Sequence, residues 1–316
     1  MNARAKILLA TKLLLSVGLL ALVLSKVDPQ SVFLVLAKAD PLLVALWYSL
    51  IPVVACLAAW RWEILAPGLS YGTALKYTWI GIFYGHVLPG AIAGDVAKGV
   101  SLAFKDSAAR VGLAASIVAE KVIGLAALLL FFDVACAVVY RLDGDSFKEL
   151  RNLAVIALVL SLVGAIAGAI AIVLAVRLRD RVVNIRSGVA SRLAYGVVAA
   201  VNFYSSRPIL LLKAFGISMA IHVVNIFAVY LSLLALRVDA DILFAAVVYP
   251  SVSVMLLIPI SISGIGVRDA TLAVLFSLFG LPLASGVALS WLALFSTIPN
   301  VMIGGAIQLW EMYRKR

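Results

Sequence analysis

The chain has 316 residues and a formal net charge of +11, with 65% hydrophobic and only 13% charged residues. A soluble globular domain is roughly half apolar and one quarter charged, so this composition excludes an ordinary soluble protein and indicates an integral membrane protein. Basic residues of membrane proteins concentrate in cytoplasmic loops, which makes nucleic-acid binding a weak explanation of the charge. Cys56 and Cys136 lie in separate apolar runs and form no disulfide or metal-binding pattern.

The first apolar segment predicts a helix that is retained in the protein. Arg4 and Lys6 precede it, as in a signal peptide, but no small-residue cleavage site follows Leu24. A helix that crosses a bilayer needs about 20 mostly apolar residues. Six segments meet that requirement without a break, and they are 7–25, 41–60, 109–140, 153–176, 209–236 and 283–310.

Two further apolar stretches, 72–104 and 242–280, are interrupted by proline and glycine. Irregular backbone at membrane depth is tolerated only where protein or water satisfies its polar groups. We therefore expect both stretches to be re-entrant hairpins whose breaks face the interior of the protein. The residues of the breaks are Pro89, Gly90 and Gly94 in the first hairpin and Pro259, Gly264 and Gly266 in the second.

The charge of the loops favours hairpins that turn back over hairpins that cross the membrane. If both turn back, the basic residues at both termini, around Arg61 and Lys76, in 98–110 and in the Arg-rich loop 177–208 share one side. That side is the cytoplasm. If each hairpin crossed once, the Arg-rich loop would be exported. We expect an all-α, multi-pass protein of a bacterial inner membrane, with six spanning helices, two re-entrant hairpins and cytoplasmic termini.

A shift of 170 residues relates the two hairpins, because it places Pro89 on Pro259, Gly94 on Gly264 and Lys98 on Arg268. It also superimposes the spans that flank them. Since the predicted topology gives the two units opposite orientations, we predict a single domain, 1–316, built from an inverted repeat of about 41–140 and 209–310. Inverted repeats recur among transporters, whose sites lie at the repeat interface. The alternative is a chance coincidence of proline and glycine.

Charged residues in apolar segments are the candidate site residues, because they are costly in a bilayer unless they face the interior. Asp95 and Lys98 follow the first break on one helical face, and Asp95 is also a candidate helix cap. Glu120 and Lys121 lie deep inside the span 109–140. They are either substrate ligands or members of structural ion pairs, Glu120 with Lys98 and Lys121 with Asp95.

Arg268 and Asp269 begin the half-helix after the second break, where a helix N-terminus favours anions and arginine is a strong phosphate ligand. His86 precedes the first break, and an interior histidine satisfied by hydrogen bonds explains it better than a titrating one. The same explanation covers His222.

Asn225 shares one helical face with His222, three residues away. We interpret it in the same way, as an interior polar group satisfied by neighbouring groups. Asn300, which follows Pro299, is expected to repair a helix kink.

Three stretches, YGHVLPGAIAGDVAKGVSLAFK, ASIVAEKVIGL and PISISGIGVRDATL, resemble the flippase-like family named after the transmembrane region of lysylphosphatidylglycerol synthase. The resemblance covers nearly the whole chain. The family typically has Asn-x-x-x-Pro with Gly-Gly-Asp and a following Arg, then Glu or Asp before Arg, then Gly-x-Gly-x-Arg-Glu. The matching positions here are His86, Pro89, Ala93, Gly94, Asp95, Lys98, Glu120, Lys121, Gly264, Gly266, Arg268 and Asp269.

The resemblance implies a lipid translocator without the aminoacyl-transfer domain of the fused enzymes. We accordingly expect a protein that is not an enzyme, needs no cofactor or metal, and binds a phospholipid or polyprenyl-phosphate-linked lipid through its anionic headgroup. Self-association or association with envelope-biosynthesis proteins is compatible with this expectation. Lys98, Lys121 and Arg268 are expected to hold the phosphate, with His86 nearby, while Asp95, Glu120 and Asp269 orient these cations or bind a cationic substituent.

Two alternatives to a translocator belong to other functional classes. The sequence has no P-loop, H-E-x-x-H or G-x-S-x-G motif. A membrane-embedded lipid or glycan transferase is one alternative, although the loop 177–208 is Arg-rich and nearly free of carboxylates. A non-catalytic scaffold subunit of a cell-envelope assembly complex is the other, and it would need no buried charges.

Overall fold

A computed structural model describes residues 3–66, 68–87, 94–95, 97–99, 110–141, 148–177, 200–257 and 264–314. Regular structure in these ranges is helical, without strands, which confirms the predicted all-α class. The helices are α1 (Ala3–Leu24), α2 (Pro29–Ala37), α3 (Pro41–Leu65), α4 (Tyr71–Val87), α5 (Arg110–Arg141), α6 (Lys148–Arg177), α7 (Pro208–Ala235), α8 (Ile242–Met255), α9 (Val267–Leu278), α10 (Leu283–Phe295) and α11 (Thr297–Arg314).

Four segments within the described ranges are long and apolar enough to cross a membrane, and they confirm a multi-pass membrane protein. They are Pro41–Leu65, Ala115–Arg141, Pro208–Ala235 and Leu283–Arg314, at four of the six predicted positions. The other two predicted positions, 7–25 and 153–176, fall on the continuous helices α1, of 22 residues, and α6, of 30 residues. Helix α1 is followed by α2 across a bend of 84°. The total of six spans stays a prediction.

Aspartates begin three of the helices. Asp28 and Asp40 accept hydrogen bonds from backbone N–H groups in the first turns of α2 and α3, each of which begins with proline. Asp241 accepts from the N–H of Phe244 in α8. A carboxylate cap satisfies backbone donors that have no partner inside the helix. Asp28, Asp40 and Asp241 therefore have a structural role as helix caps.

Helices of each predicted repeat unit pack against helices of the other unit. Helices α3 and α7 correspond under the 170-residue shift, which places the last residue of α3, Leu65, on the last residue of α7, Ala235. These two helices pack against each other. Helix α4 packs against α11, and its counterpart α8 packs against α5. Each broken stretch therefore contacts the last span of the other unit, which closes the bundle around a common interface.

The largest apolar core holds the second hairpin in place. It combines buried side chains of α7, α8, α9 and α10, among them Leu233, Leu272 and Val287. The ring of Phe244 lies edge-on to that of Phe276, with centroids 5.3 Å apart. Outside this core, large apolar side chains of the long helices are exposed, which suits a surface that contacts lipid.

Glycines allow close packing beside both breaks. In the first hairpin, a Cβ on Gly94 would overlap the carbonyl oxygen of Gly81 in α4, so the chain after the break runs back along α4. In the second, Gly264 and Gly266 have φ of 78° and 83°, a backbone region that favours glycine. A Cβ on Gly266 would lie 2.6 Å from the carbonyl oxygen of Ser16 in α1.

The described ranges include only part of each predicted break. Pro89, Gly90 and Pro259 lie outside the described residues. The helices on the two sides of each break nevertheless lie next to each other, as a hairpin requires.

Candidate functional site

A cavity of about 580 Å³ lies among α3, α4, α5, α7 and the junction of α10 and α11. Its volume is typical of small-molecule sites, which span about 300–1,000 Å³. Gly94 and five of the seven predicted substrate-binding residues line it, namely His86, Asp95, Lys98, Glu120 and Lys121. Arg268 and Asp269 are not among its lining residues.

Glu120 is the centre of a buried group of three charges. Its Oε2 accepts from Lys98 Nζ at 2.7 Å, and its Oε1 accepts from Arg61 Nη2 at 3.0 Å. The side chains of Lys98, Glu120 and Arg61 are only 5%, 7% and 13% exposed. Each is therefore largely removed from solvent, and the carboxylate bridges two cations that come from different helices.

Neighbouring side chains fix the two cations in position. Lys98 Nζ lies 3.7 Å from the centroid of the Trp62 ring, a cation–π contact. Trp62 is itself held by a hydrogen bond from its Nε1 to Ser116 Oγ, at 3.0 Å. Arg61 Nη1 donates to Ser218 Oγ of α7 at 2.9 Å. The group of charges is thus preorganised by α3, α5 and α7.

A second ion pair lies further out. Lys121 Nζ is 2.9 Å from Asp95 Oδ2, and the Lys121 side chain is 62% exposed. Both ion pairs that the sequence offered as the structural alternative are therefore formed. Asp95 and Glu120 each pair with a cation, and their role towards a substrate stays a prediction.

The charges that line the cavity do not balance. Among the described residues, they comprise three cations, Arg61, Lys98 and Lys121, and two carboxylates, Asp95 and Glu120, which leaves one positive charge. Arg61 Nε also has no hydrogen-bond partner among the described residues. An unbalanced charge away from water is costly unless an anion compensates for it. The cavity is therefore suited to bind an anion.

Neutral polar groups complete the lining. Thr78 is 7% exposed, and its Oγ1 has no hydrogen-bond partner in the part of the chain that the structure describes. His86 Nδ1 lies 2.8 Å from the carbonyl oxygen of Ile82 and must donate to it, because a carbonyl oxygen only accepts. In the neutral ring this leaves Nε2 as an acceptor.

Two asparagines of the lining each use one side-chain N–H within their own helix. Asn225 Nδ2 donates to the carbonyl oxygen of Ile221 at 2.8 Å, and Asn300 Nδ2 donates to that of Ser296 at 3.0 Å. The second bond lies at the junction of α10 and α11, where the kink is predicted. Each amide keeps a second N–H as a donor and Oδ1 as an acceptor.

The second break is arranged differently from the first. Arg268 Nε donates to Ser290 Oγ of α10 at 3.0 Å. The carboxylate of Asp269 is buried and accepts from the N–H of Gly266 at 2.8 Å, which makes it part of the cap of α9. Among the described residues, Asp269 therefore has a clear structural role, whereas Arg268 is bonded to a neutral hydroxyl.

His222 is a satisfied interior histidine, as predicted. Its Nε2 donates to the carbonyl oxygen of Gly124 at 3.2 Å, and its Nδ1 lies 2.8 Å from Tyr249 Oη. With Nε2 protonated, the neutral ring accepts the hydroxyl proton of Tyr249. His222 links α5, α7 and α8 and is not among the residues that line the cavity.

Arg61 is the main site residue that the sequence analysis placed incorrectly. It was assigned to a basic stretch outside the span 41–60, but α3 continues to Leu65 and carries Arg61 into the interior. The available signal was the helical spacing of the apolar residues Ala55, Ala59 and Trp62, which continues past residue 60, and the structure buries all three. Thr78 was also missed, since a single threonine in an apolar helix has no distinguishing pattern.

Comparison with known proteins identifies the family. The family model described as the transmembrane region of lysylphosphatidylglycerol synthase matches residues 9–304. No curated protein and no solved structure matches the chain.

Proposed function

The chain belongs to the family of the lysylphosphatidylglycerol synthase transmembrane region, and on that premise we propose that it is a membrane lipid translocator. It binds the anionic headgroup of a phospholipid or polyprenyl-phosphate-linked lipid and lets it cross between leaflets, without catalysing a reaction. The observation that carries this proposal is the surplus positive charge in a cavity surrounded by membrane-spanning helices.

The surplus charge supports anion binding because a headgroup with one negative charge would neutralise the cavity. Lys121, the exposed cation, meets the headgroup first, and Lys98 and Arg61 hold the phosphate further inside. Glu120 already holds Lys98 and Arg61 close together. The phosphate can therefore bind both cations while they remain paired with the carboxylate. Binding therefore requires little rearrangement.

The pairing of both carboxylates also favours translocation over group transfer. A general base must be free to accept a proton from its substrate. Asp95 and Glu120 are instead engaged by Lys121, Lys98 and Arg61. The described ranges contain no cluster of three or more His, Cys, Asp or Glu side chains that could hold a metal ion.

The proposed architecture is a single domain of six spans and two re-entrant hairpins that enter from opposite leaflets, with both termini in the cytoplasm of a bacterial inner membrane. The packing of α4 against α11 and of α8 against α5, each between different repeat units, supports an inverted repeat. So do the bonds Lys98–Glu120 and Arg268–Ser290, each of which joins residues 22 apart. Arg268 would then receive the headgroup on the side opposite to Lys98.

A reconstituted leaflet-accessibility assay tests this function. Liposomes that contain the chain and a trace of fluorescent phosphatidylglycerol are exposed to an impermeant quencher, beside liposomes with fluorescent phosphatidylcholine. We expect the protected fraction of phosphatidylglycerol to fall with time. Arg268→Ala should slow the exchange of lipid between leaflets severely, and Arg268→Lys should slow it partly. Lysine keeps the positive charge but lacks the planar guanidinium group that can donate two hydrogen bonds to one phosphate. Protection equal to that in protein-free liposomes would refute the proposal.

A further inference from the structure

We infer that the cavity selects a headgroup in which one phosphodiester is joined to a polyol, and that it rejects headgroups bearing an ammonium group. The inference rests on the proposed function and narrows its substrate class. It follows from two properties of the lining, the state of its charged groups and the hydrogen-bonding capacity of its neutral groups.

The charged groups exclude an ammonium substituent. An ammonium group would add positive charge to a lining that already has a surplus of it, because the carboxylates Asp95 and Glu120 are outnumbered by Lys121, Lys98 and Arg61. A phosphodiester carries one negative charge and balances the surplus of the lining. A phosphomonoester carries closer to two, and it would leave the cavity negative. The charge thus favours a phosphodiester without an attached amine.

The neutral groups include acceptors that need hydrogen-bond donors from the ligand. His86 Nε2 in the neutral ring and the Oδ1 atoms of Asn225 and Asn300 are acceptors, and each amide also keeps a second N–H beside the one bound to its own helix. A phosphodiester has no N–H or O–H group to offer these acceptors. The hydroxyl groups of glycerol or of a sugar do, and they also act as acceptors.

Thr78 adds a donor to this set. Its hydroxyl is buried, lines the cavity and has no partner among the described residues. Threonines in helices commonly bond to a backbone carbonyl four residues earlier, as Thr271 does to Val267. Thr78 does not, so its hydroxyl is available to a ligand.

Calorimetric titration of the full chain in detergent with dioctanoyl lipids tests the inference. Phosphatidylglycerol and phosphatidylinositol supply a polyol and one negative charge, whereas phosphatidylethanol has the charge without a hydroxyl. We expect the better of the two polyol lipids to bind about tenfold more tightly than phosphatidylethanol, as for a small number of buried hydrogen bonds. Phosphatidylethanolamine and lysylphosphatidylglycerol should bind more weakly than phosphatidylethanol.

Each outcome separates the inference from the function on which it rests. Equal affinity for phosphatidylethanol and both polyol lipids would overturn the polyol selection and leave anion binding intact. Tight binding of phosphatidylethanolamine or lysylphosphatidylglycerol would overturn the exclusion of amines. Binding of none of these lipids would contradict the proposed function itself. The ranking of the two polyol lipids identifies glycerol or inositol as the preferred partner.

Two variants locate the selectivity in the cavity. Thr78→Val keeps the shape of the side chain and removes the hydroxyl, and Asn225→Leu removes an acceptor. Both should bring the affinities for the polyol lipids and phosphatidylethanol closer together. Thr271→Val is the matched control, because this hydroxyl is bound to the backbone of α9 away from the cavity, and it should keep the parental preference. An unchanged preference in Thr78→Val and Asn225→Leu would overturn the assignment.

Discussion

The ammonium of Lys98 lies 2.7 Å from the carboxylate of Glu120, in a buried contact between the segment after the first break and α5. The bond from Arg268 to Ser290 falls on the same positions after a shift of 170 residues. One unit therefore neutralises its cation with a carboxylate, and the other binds its cation with a neutral hydroxyl. This difference gives the two proposed headgroup positions unequal affinity for an anion.

Glu120 should contribute more to stability than either cation. Glu120→Gln leaves Lys98 and Arg61 buried and facing each other without a carboxylate, which we expect to lower the free energy of unfolding by about 3 kcal/mol or more. Lys98→Met keeps the pair of Arg61 with Glu120 and fills the space beside Trp62, so its loss should be smaller. Thermal unfolding in detergent measures both. Equal losses, or none in Glu120→Gln, would contradict a bridging carboxylate.

The outer ion pair should contribute little to stability. The side chain of Lys121 is 62% exposed, and exposed ion pairs are worth about 0–1 kcal/mol. Lys121→Gln should therefore lower the unfolding temperature far less than Glu120→Gln under the same conditions. A loss as large as that of Glu120→Gln would mean that Lys121 belongs to the buried group of charges.

Sequence reasoning identified the ionic contacts better than the limits of the helices. The pairs of Glu120 with Lys98 and of Lys121 with Asp95 could be predicted because unpaired charges are costly in an apolar span. Arg61 was misplaced since hydropathy falls at the sequence Trp60-Arg61, although α3 does not end there.

Other features depend on tertiary packing, which the sequence does not encode locally. The 84° bend between α1 and α2 comes after the predicted first span, and its angle depends on how α2 packs against α10. Whether the hydroxyl of Thr78 finds a partner depends on which helices surround it, and composition gives no sign that none of the described residues bonds to it.

Gly94 should be intolerant of a side chain. A Cβ at this position would overlap a backbone atom of Gly81, which cannot rotate away, and overpacking of this kind costs about 1–3 kcal/mol. Gly94→Ala should therefore lower the unfolding temperature. Gly164→Ala is the matched control, because no atom lies within 4 Å of a Cβ there and alanine favours a helix. A neutral Gly94→Ala would show that the chain after the break does not pack this closely on α4.

The two ends of α7 should lie on opposite sides of the membrane. Ser206 and Asp239 are exposed just outside this span, and the Arg-rich loop precedes Ser206. In a background of Cys56→Ala and Cys136→Ala, cells with Ser206→Cys should be protected from an impermeant thiol reagent, and cells with Asp239→Cys should be labelled. The reverse pattern would overturn the proposed orientation and the inverted repeat that depends on it.

The most direct test of the central claim, that surplus positive charge in the cavity moves an anionic lipid, is the exchange rate of fluorescent phosphatidylglycerol in liposomes containing Lys98→Met. This variant removes the surplus charge and keeps the pair of Arg61 with Glu120. Lys76→Met, on α4 but outside the cavity lining and paired with Glu311, is the control and should keep the parental rate. A thermal unfolding measurement establishes that Lys98→Met is folded. We predict that liposomes containing the folded variant exchange lipid no faster than protein-free liposomes. A folded Lys98→Met that exchanges lipid at the parental rate would contradict the account.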